Sequence, residues 1–346
     1  MPSSTAWSTE RSCRTLSGER WLPAAVNRGW IYRDRIDSLQ AGRRVCAFYA
    51  GRHPHSPESV WLQRLTNGEI HRNGRPLQGD IRLERGDRLA WHRPPWREPA
   101  VPAAWRVVHD DGDLHVIAKP AGLPVLPAGG FLEHTLLRLL ERRHAGDPAG
   151  VPRPVHRLGR FTSGLLVCAR RSATRSWLSR QLRQTTAAAT CGEAATVPAV
   201  PEGCCKHYLA LVVPGALSLT PGESVGITVA IGRRPHPRLG ELWVAAAGDA
   251  TALPARSTLT LLQHGTSADL VDVAIATGRP HQIRIHCAAL GAPLVGDPLY
   301  RAGGDARPEA LPGQGGYRLH AHRLTLRGPA GTDLELEAPP PWPAYA

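Results

Sequence analysis

Residues 155–170 read VHRLGRFTSGLLVCAR, and this stretch decides how the rest of the chain is interpreted. His156, Arg157 and Arg160 form a basic cluster on a loop. The apolar run 165–169 that follows is typical of a buried strand. Loops at the ends of buried strands often carry functional residues. Taken alone, however, the pattern favours a solvated basic loop that leads into a core strand.

The composition indicates a soluble globular protein with a polyanionic partner. Hydrophobic residues make up 42% of the 346 residues and charged residues 21%, as in ordinary folded domains. No stretch approaches about eighteen uninterrupted apolar residues, so we expect no membrane span. The formal net charge is +13 and the sequence pI about 10.2, which favours RNA as a partner. A GC-rich genome explains the preference for arginine over lysine, but not the excess of cations over acids.

The cysteines and the N-terminus bear on compartment and processing. Seven cysteines are scattered without a CxxC pair, and no histidine pair has zinc-ligand spacing, so we expect no metal site. Scattered thiols predict a reducing, cytoplasmic location. Residues 1–20 are rich in Ser, Thr and Arg but contain Glu10 and Glu19, which an acid-poor transit peptide would lack. We interpret them as a disordered tail.

A cluster of prolines predicts two domains. Four prolines within residues 94–103 predict a semi-rigid linker between an N-terminal region, 21–93, and a larger domain, 104–338. In the N-terminal region, apolar residues with helical spacing over 60–65 precede a short strand over 69–72 that Asn-Gly turns flank on both sides.

The larger domain is predicted to contain more strands than helices. Apolar patterns and turn residues predict a hairpin over 105–118 and helices over 133–144, from Ser172 onward, and up to Gly291, and further strands at 206–213, 225–231, 257–262, 268–276 and 319–324. The aperiodic stretch 185–203 predicts an inserted loop.

Several of these segments resemble motifs of the RluA-type pseudouridine synthases. That family has the signature H-R-L-D-x-x-T-S-G-L-L, a Pro- and Gly-rich first motif, a K-x-Y-x-A segment, and the motifs G-R-x-H-Q-I-R-x-H and G-D-P-L-Y. The corresponding stretches here are HRLGRFTSGLL at 156–166, KPAGLPVLPAGG at 119–130, KHYLA at 206–210, GRPHQIRIH at 278–286 and GDPLY at 296–300. These matches follow the family order from about Trp105 to Leu336, so chance is a poor explanation. Residues 68–89 also resemble the small alpha-L RNA-binding module.

The resemblance implies both a fold and a reaction. The expected fold is α+β, with a catalytic domain built on a mixed, largely antiparallel sheet around a basic cleft, preceded by the alpha-L-like module. The expected reaction is the cofactor-free isomerisation of uridine to pseudouridine in structured rRNA or tRNA by a monomeric enzyme. The target base would be flipped into the cleft at an unstacking cost of a few kcal/mol.

The resemblance also implies roles for particular residues. Tyr208 would lie against the target uracil, and Arg284 would pair with the motif aspartate and keep it ionised. Gly159 stands at the aspartate position. Arg284 would then face empty space or another anion. Further matching positions are expected to contact RNA: His156, Arg157, Arg160, Thr162, Arg279, His281 and Gln282.

Gly159 leaves two interpretations open. A missing general base typically lowers a rate about 10²–10⁴-fold, so the chain is either a synthase that uses a different group or an RNA-binding homologue that has lost the reaction. A metal-dependent nuclease would need clustered carboxylates, and here they are scattered. If Gly159 has a negative φ, Gly159→Asp is expected to restore the charge pair with Arg284.

Overall fold

The computed structural model describes residues 20–53, 55–191, 204–311, 313–327 and 333–342. The predicted disordered tail, apart from Arg20, lies outside the described residues. So does part of the predicted loop at 185–203. None of the described helices combines the length and apolar character that a bilayer crossing requires.

The N-terminal region contains a small sheet covered by two helices. The helix and strands predicted there are confirmed, and the sheet order is β3-β6-β4-β5. Tyr49, Trp61 and Trp91 are fully or almost fully buried in its core, with ring centroids under 5 Å apart for the pairs Tyr49–Trp61 (4.6 Å) and Trp61–Trp91 (4.7 Å). The elements are β1 (Trp21–Leu22), β2 (Ala25–Val26), β3 (Trp30–Arg35), α1 (Val45–Arg52), α2 (Glu58–Thr66), β4 (Ile70–Arg72), β5 (Arg75–Pro76) and β6 (Arg88–Arg93).

The proline-rich stretch 94–103 contains two short strands. They are β7 (Arg97–Glu98), which pairs with β2, and β8 (Val101–Pro102), which pairs with β1. Prolines are tolerated because these are two-stranded ribbons in which only some N–H groups must donate. The buried Glu98 carboxylate accepts from Asn27 Nδ2 at 2.6 Å and from the His134 N–H at 2.8 Å. The stretch therefore forms hydrogen bonds with the N-terminal region, through β1, β2 and Asn27, and with the larger domain, through His134.

A ten-stranded sheet forms the larger domain. Its main path is β14-β17-β18-β13-β19-β12-β10-β9, with β11 beside β12 and β20 beside β19. Among the strands of the described residues, only β12 and β19 pair in parallel, so the predicted α+β class with a mixed, largely antiparallel sheet is confirmed. The elements are β9 (Arg106–Asp110), β10 (Leu114–Lys119), α3 (Leu136–Arg143), β11 (Arg153–Pro154), β12 (Ser163–Ala169), α4 (Ser172–Cys191), β13 (Cys204–Val212), β14 (Ser224–Ile227), β15 (Ile231–His236), β16 (Gly240–Ala245), β17 (Ser257–Gln263), β18 (Asp269–Ile275), α5 (Gln282–Ala289), β19 (Leu319–Arg327) and β20 (Asp333–Glu337).

Two sequence predictions in this domain are corrected. The strand predicted over 225–231 is two strands, because β14 stays in the large sheet whereas β15 leaves it to pair with β16. The loop predicted at 185–203 is helical as far as Cys191, since α4 continues through its alanines. Alanine favours helix even where no apolar period marks a buried face.

The parallel contact between β12 and β19 requires a glycine. All seven residues of β12 are buried, and Ser163 and Gly164 pair with His320 and Ala321. Gly164 has a φ of +102°, and a Cβ placed on it would lie 2.2 Å from the Ala321 carbonyl oxygen. The two backbones can approach this closely only because residue 164 has no side chain.

We expect Gly164→Ala to destabilise the protein by about 3 kcal/mol or more, because overpacking and a left-handed backbone each cost roughly 1–3 kcal/mol. Gly79→Ala is the matched control: a Cβ there meets nothing within 4 Å and the backbone is not left-handed. Urea unfolding of both variants measures the difference. Equal stability of the two would contradict the close approach of the strands.

Candidate active site

A basic cleft of about 610 Å³ lies between α4, β13, β19 and the loop before β12, residues 155–162, which we call the signature loop. Apolar side chains form part of its lining, namely Leu165, Ile275 and Leu324. No Asp or Glu is among the described residues that line it. The cationic or potentially cationic lining residues are Arg157, Arg183, Lys206, His207, Arg279 and Arg323. The cleft thus combines an apolar surface with a positive potential.

Tyr208 lies in this cleft on the central strand β13. Burial raises the pKa of its phenol to about 12, so the phenol stays protonated at neutral pH. The neighbouring His207 donates from Nδ1 to Asp272 Oδ2 at 2.7 Å, and this hydrogen bond raises the pKa of His207 to about 10. Lys206 donates from Nζ to the Leu182 carbonyl at 3.1 Å, and burial lowers its pKa.

Lys206 and His207 were not singled out as site residues from the sequence. Their position beside Tyr208 in the K-x-Y-x-A segment was the available signal. His207 is protonated at neutral pH and paired with Asp272, and it lines the same cleft as Tyr208.

The basic cluster of the signature loop contains fewer available cations than the sequence predicts. His156 Nε2 accepts from the Val167 N–H at 3.0 Å, and burial lowers the pKa of His156 to about 4, so it is neutral. Arg160 lies over Phe131 at 4.4 Å and donates from Nε to the Gly122 carbonyl at 3.0 Å. Among the three, only Arg157 is exposed, and it lines the cleft.

Lys119 holds the signature loop in place from the interior of the domain. It is fully buried, and its Nζ donates to the carbonyls of Pro120 at 2.8 Å, Leu123 at 2.9 Å and Arg160 at 3.1 Å. Burial, with a smaller contribution from the Arg160 charge, lowers the pKa of Lys119 to about 7. Its three hydrogen bonds join the end of β10 to the loop that carries Gly159.

Arg284 has a buried carboxylate partner other than residue 159. From α5, its Nε and Nη2 each lie 2.7 Å from a carboxylate oxygen of Asp297, in the G-D-P-L-Y segment. Asp297 Oδ1 also accepts from the N–H groups of Leu299 at 2.8 Å and Tyr300 at 3.2 Å. Burial alone would lower the pKa of Arg284, but the paired carboxylate raises it overall. Of the two outcomes left open by the sequence, Arg284 therefore faces another anion.

The space beside Gly159 is occupied by Tyr317. Gly159 is exposed and has no left-handed φ, but a Cβ built on it would lie 2.5 Å from the Tyr317 hydroxyl oxygen and 3.1 Å from Thr162 Oγ1. The expectation that Gly159→Asp simply restores a charge pair is therefore wrong, since the new side chain would clash with Tyr317. Tyr317 is distant in sequence, so no local pattern could have revealed this contact.

His281 and Gln282, both expected as RNA contacts, differ in exposure: His281 is exposed and Gln282 is buried. His281 Nδ1 donates to the Tyr300 hydroxyl at 2.7 Å, and partial burial of the ring followed by the Arg284 charge lowers the pKa of His281 to about 4. Gln282 is buried and uses both ends of its amide: Oε1 accepts from Thr277 Oγ1 at 2.7 Å, and Nε2 donates to the Arg256 carbonyl at 2.9 Å.

The predicted site residues therefore fall into two groups. His156, Arg157, Tyr208 and Arg279 line the cleft, where Arg279 also donates from Nε to the Pro254 carbonyl at 2.9 Å. Arg160, Thr162, His281, Gln282 and Arg284 do not line it, and of these Thr162, Gln282 and Arg284 are buried. Within the described ranges, no three His, Cys, Asp or Glu side chains are grouped so as to hold a metal ion.

Comparison with known proteins identifies the family. Residues 113–289, about half of the chain, match the model of the RNA pseudouridylate synthases. The chain belongs to this family. It is 39% identical over 280 residues to an uncharacterized RNA pseudouridine synthase of Synechocystis sp., covering 80% of this chain and 87% of that one. RNA pseudouridine synthase 5 of Arabidopsis thaliana is 34% identical, over 92% of this chain and 94% of its own.

A third relative carries the name of its substrate. Ribosomal large subunit pseudouridine synthase D of Neisseria meningitidis serogroup B is 31% identical to this chain, over 88% of this chain and 78% of its own. All three relatives span well beyond the 113–289 core, so the similarity includes sequence outside the family model.

We expect Asp297→Asn to lower the free energy of unfolding by about 3–5 kcal/mol, because it leaves the buried Arg284 guanidinium without a counter-charge. Asp305→Asn is the matched control, since its ion pair with Arg301 is more than half exposed and should contribute at most about 0.5 kcal/mol. Chemical denaturation measures both. A loss at Asp297 no larger than at Asp305 would show that this ion pair does not support the fold.

Proposed function

We propose that the protein isomerises uridine to pseudouridine in structured rRNA or tRNA, without a cofactor, as a monomer in the cytoplasm. The observation that carries the proposal is the position of Tyr208, half-buried in a cleft that is lined by cations and by no described acidic side chain. An apolar surface beside a phenol suits a flat base, and the cations suit the phosphates on either side of it.

The charge of the chain supports RNA as the substrate. Its net charge of +13 is large, and arginines on different elements converge on one cleft, namely Arg157, Arg183, Arg279 and Arg323. Such a cleft attracts a phosphate backbone over distances on the order of the Debye length, about 8–10 Å at physiological salt. The ribosomal name of the Neisseria relative favours rRNA within the proposed substrate class.

One observation favours a second candidate function, that of an RNA-binding homologue without activity. The family aspartate position is Gly159, and Tyr317 fills the space that a side chain there would need. A protein that had lost the reaction could keep the cationic cleft and bind RNA unchanged. The two candidates agree on binding and differ on whether pseudouridine forms.

Pseudouridine formation by wild type and Tyr208→Phe decides between them. Unmodified rRNA and tRNA transcripts would be incubated with each protein and mapped by mass spectrometry. Wild type should form pseudouridine at defined positions, and loss of the phenol should slow formation about 10²–10⁴-fold, as for an acid–base group. Tyr49→Phe is the control, because this tyrosine is buried in the N-terminal region and its hydroxyl has no hydrogen-bond partner. Salt-sensitive RNA binding with no product would favour the inactive homologue.

RNA affinity should fall steeply with salt. If six to ten phosphates are neutralised, the affinity should drop by about 10³–10⁵ between 50 and 200 mM salt. Filter binding with a structured rRNA fragment measures the slope. Arg183→Gln should make the slope shallower by about one unit, whereas Arg97→Gln, away from the cleft, should not. An affinity that stays flat over this range would argue against a phosphate-binding cleft.

A further inference from the structure

The hydroxyl oxygen of Tyr317 lies at the distance from residue 159 at which an aspartate there would hold a carboxylate oxygen. In any aspartate the carboxylate oxygens are about 2.4 Å from their own Cβ, as bond lengths dictate. The Tyr317 hydroxyl oxygen is 2.5 Å from the Cβ position of Gly159. The phenol therefore brings an oxygen from the segment before β19 to the distance at which an aspartate would hold one of its own.

The surroundings of this oxygen are those of a functional group. Thr162 Oγ1 lies 3.3 Å from it and can donate to it, and the Arg284 guanidinium carbon lies 4.3 Å from the centre of the Tyr317 ring. The guanidinium packs against the face of the ring, and this cation–π contact holds the phenol in place. Tyr317 itself is buried, but its hydroxyl oxygen lies next to the exposed Gly159.

We propose that Tyr317 supplies the acid–base group that the family aspartate supplies elsewhere, and that Gly159 and Tyr317 are a coupled replacement. This inference rests on the proposed function. A glycine is needed at 159 because any side chain would displace the phenol, and a tyrosine is needed at 317 because residue 159 offers no acid. Arg284, already neutralised by Asp297, orients the phenol through its ring face.

The proton balance of the step is closed. The phenolate oxygen of Tyr317 takes a proton from carbon 2′ of the ribose as the bond between carbon 1′ and N1 breaks, and the electron pair of that bond leaves with the uracil. When carbon 5 of the turned base bonds to carbon 1′, the phenol returns the proton to carbon 2′. The proton on carbon 5 is then lost and N1 gains one, so the product is an isomer and no oxidant or reductant is consumed.

A set of three variants tests the coupling. Tyr317→Phe should slow pseudouridine formation about 10²–10⁴-fold while RNA affinity stays near the wild-type value. Gly159→Asp alone should form pseudouridine more slowly than wild type and unfold at a lower temperature, because its Cβ would lie 2.5 Å from the phenol oxygen. In the double variant Gly159→Asp with Tyr317→Phe, the Cβ of residue 159 would lie 3.9 Å from the nearest ring carbon, so the clash at Cβ is removed and stability should recover in part, with the carboxylate turned away from the ring.

The pH profile separates a catalytic from a structural role. A carboxylic acid is a far stronger acid than a phenol, so the rising limb of the rate should lie at lower pH in the double variant than in wild type. Tyr49→Phe, which has no contact with the cleft, should keep the wild-type profile.

Each result has one meaning. Wild-type speed in Tyr317→Phe would overturn this inference while leaving the proposed function intact. Activity in the double variant but none in wild type would also overturn it, because Tyr317 would then merely block a carboxylate site. A slow Tyr317→Phe whose double variant is active with an unchanged pH profile would assign the tyrosine a structural role only. Absence of product from every protein would refute the proposed function, and this inference with it.

Discussion

The parallel contact between β12 and β19 determines the geometry of the site. Ser163 and Gly164 pair with His320 and Ala321, and Ser163 Oγ lies 2.8 Å from His320 Nδ1. Because the strands run in the same direction, the residues just before each strand meet at the same edge of the sheet. Gly159 precedes one strand and Tyr317 the other, so their contact follows directly from this register. Moving either strand by one residue relative to the other would separate Gly159 from Tyr317.

The ion pair of Arg284 and Asp297 makes a site without the family aspartate physically possible. A buried guanidinium without a partner is costly, and in a chain with glycine at 159 it could have been left so. Asp297 prevents this, because both of its oxygens are bonded to Arg284 and Oδ1 also accepts from two backbone N–H groups. The charge balance of the core is therefore independent of residue 159.

The sequence predicted most elements but only part of the site. β12, the hairpin of β9 and β10, and α5 follow from apolar periods and turn residues, which are local signals. The partners of Arg284 and Gly159 depend on the packing of segments far apart in the chain, so no spacing revealed Asp297 or Tyr317. A match to a family motif likewise did not show whether a residue is exposed to RNA or buried as a structural support. Gln282 matches its motif yet is fully bonded inside the domain.

The short paired strands at the junction restrict rotation of the N-terminal region relative to the larger domain. A domain attached by one strand can rotate about it, whereas here β1 and β2 return to pair with β8 and β7, and Glu98 locks the junction to Asn27. Trp96 also donates to the Gly130 carbonyl at 2.8 Å. The N-terminal sheet is thus held at a set separation and angle from the cleft. An RNA that contacts both the N-terminal sheet and the cleft would bind two surfaces whose relative position is already fixed. Little orientational entropy would then be lost on binding.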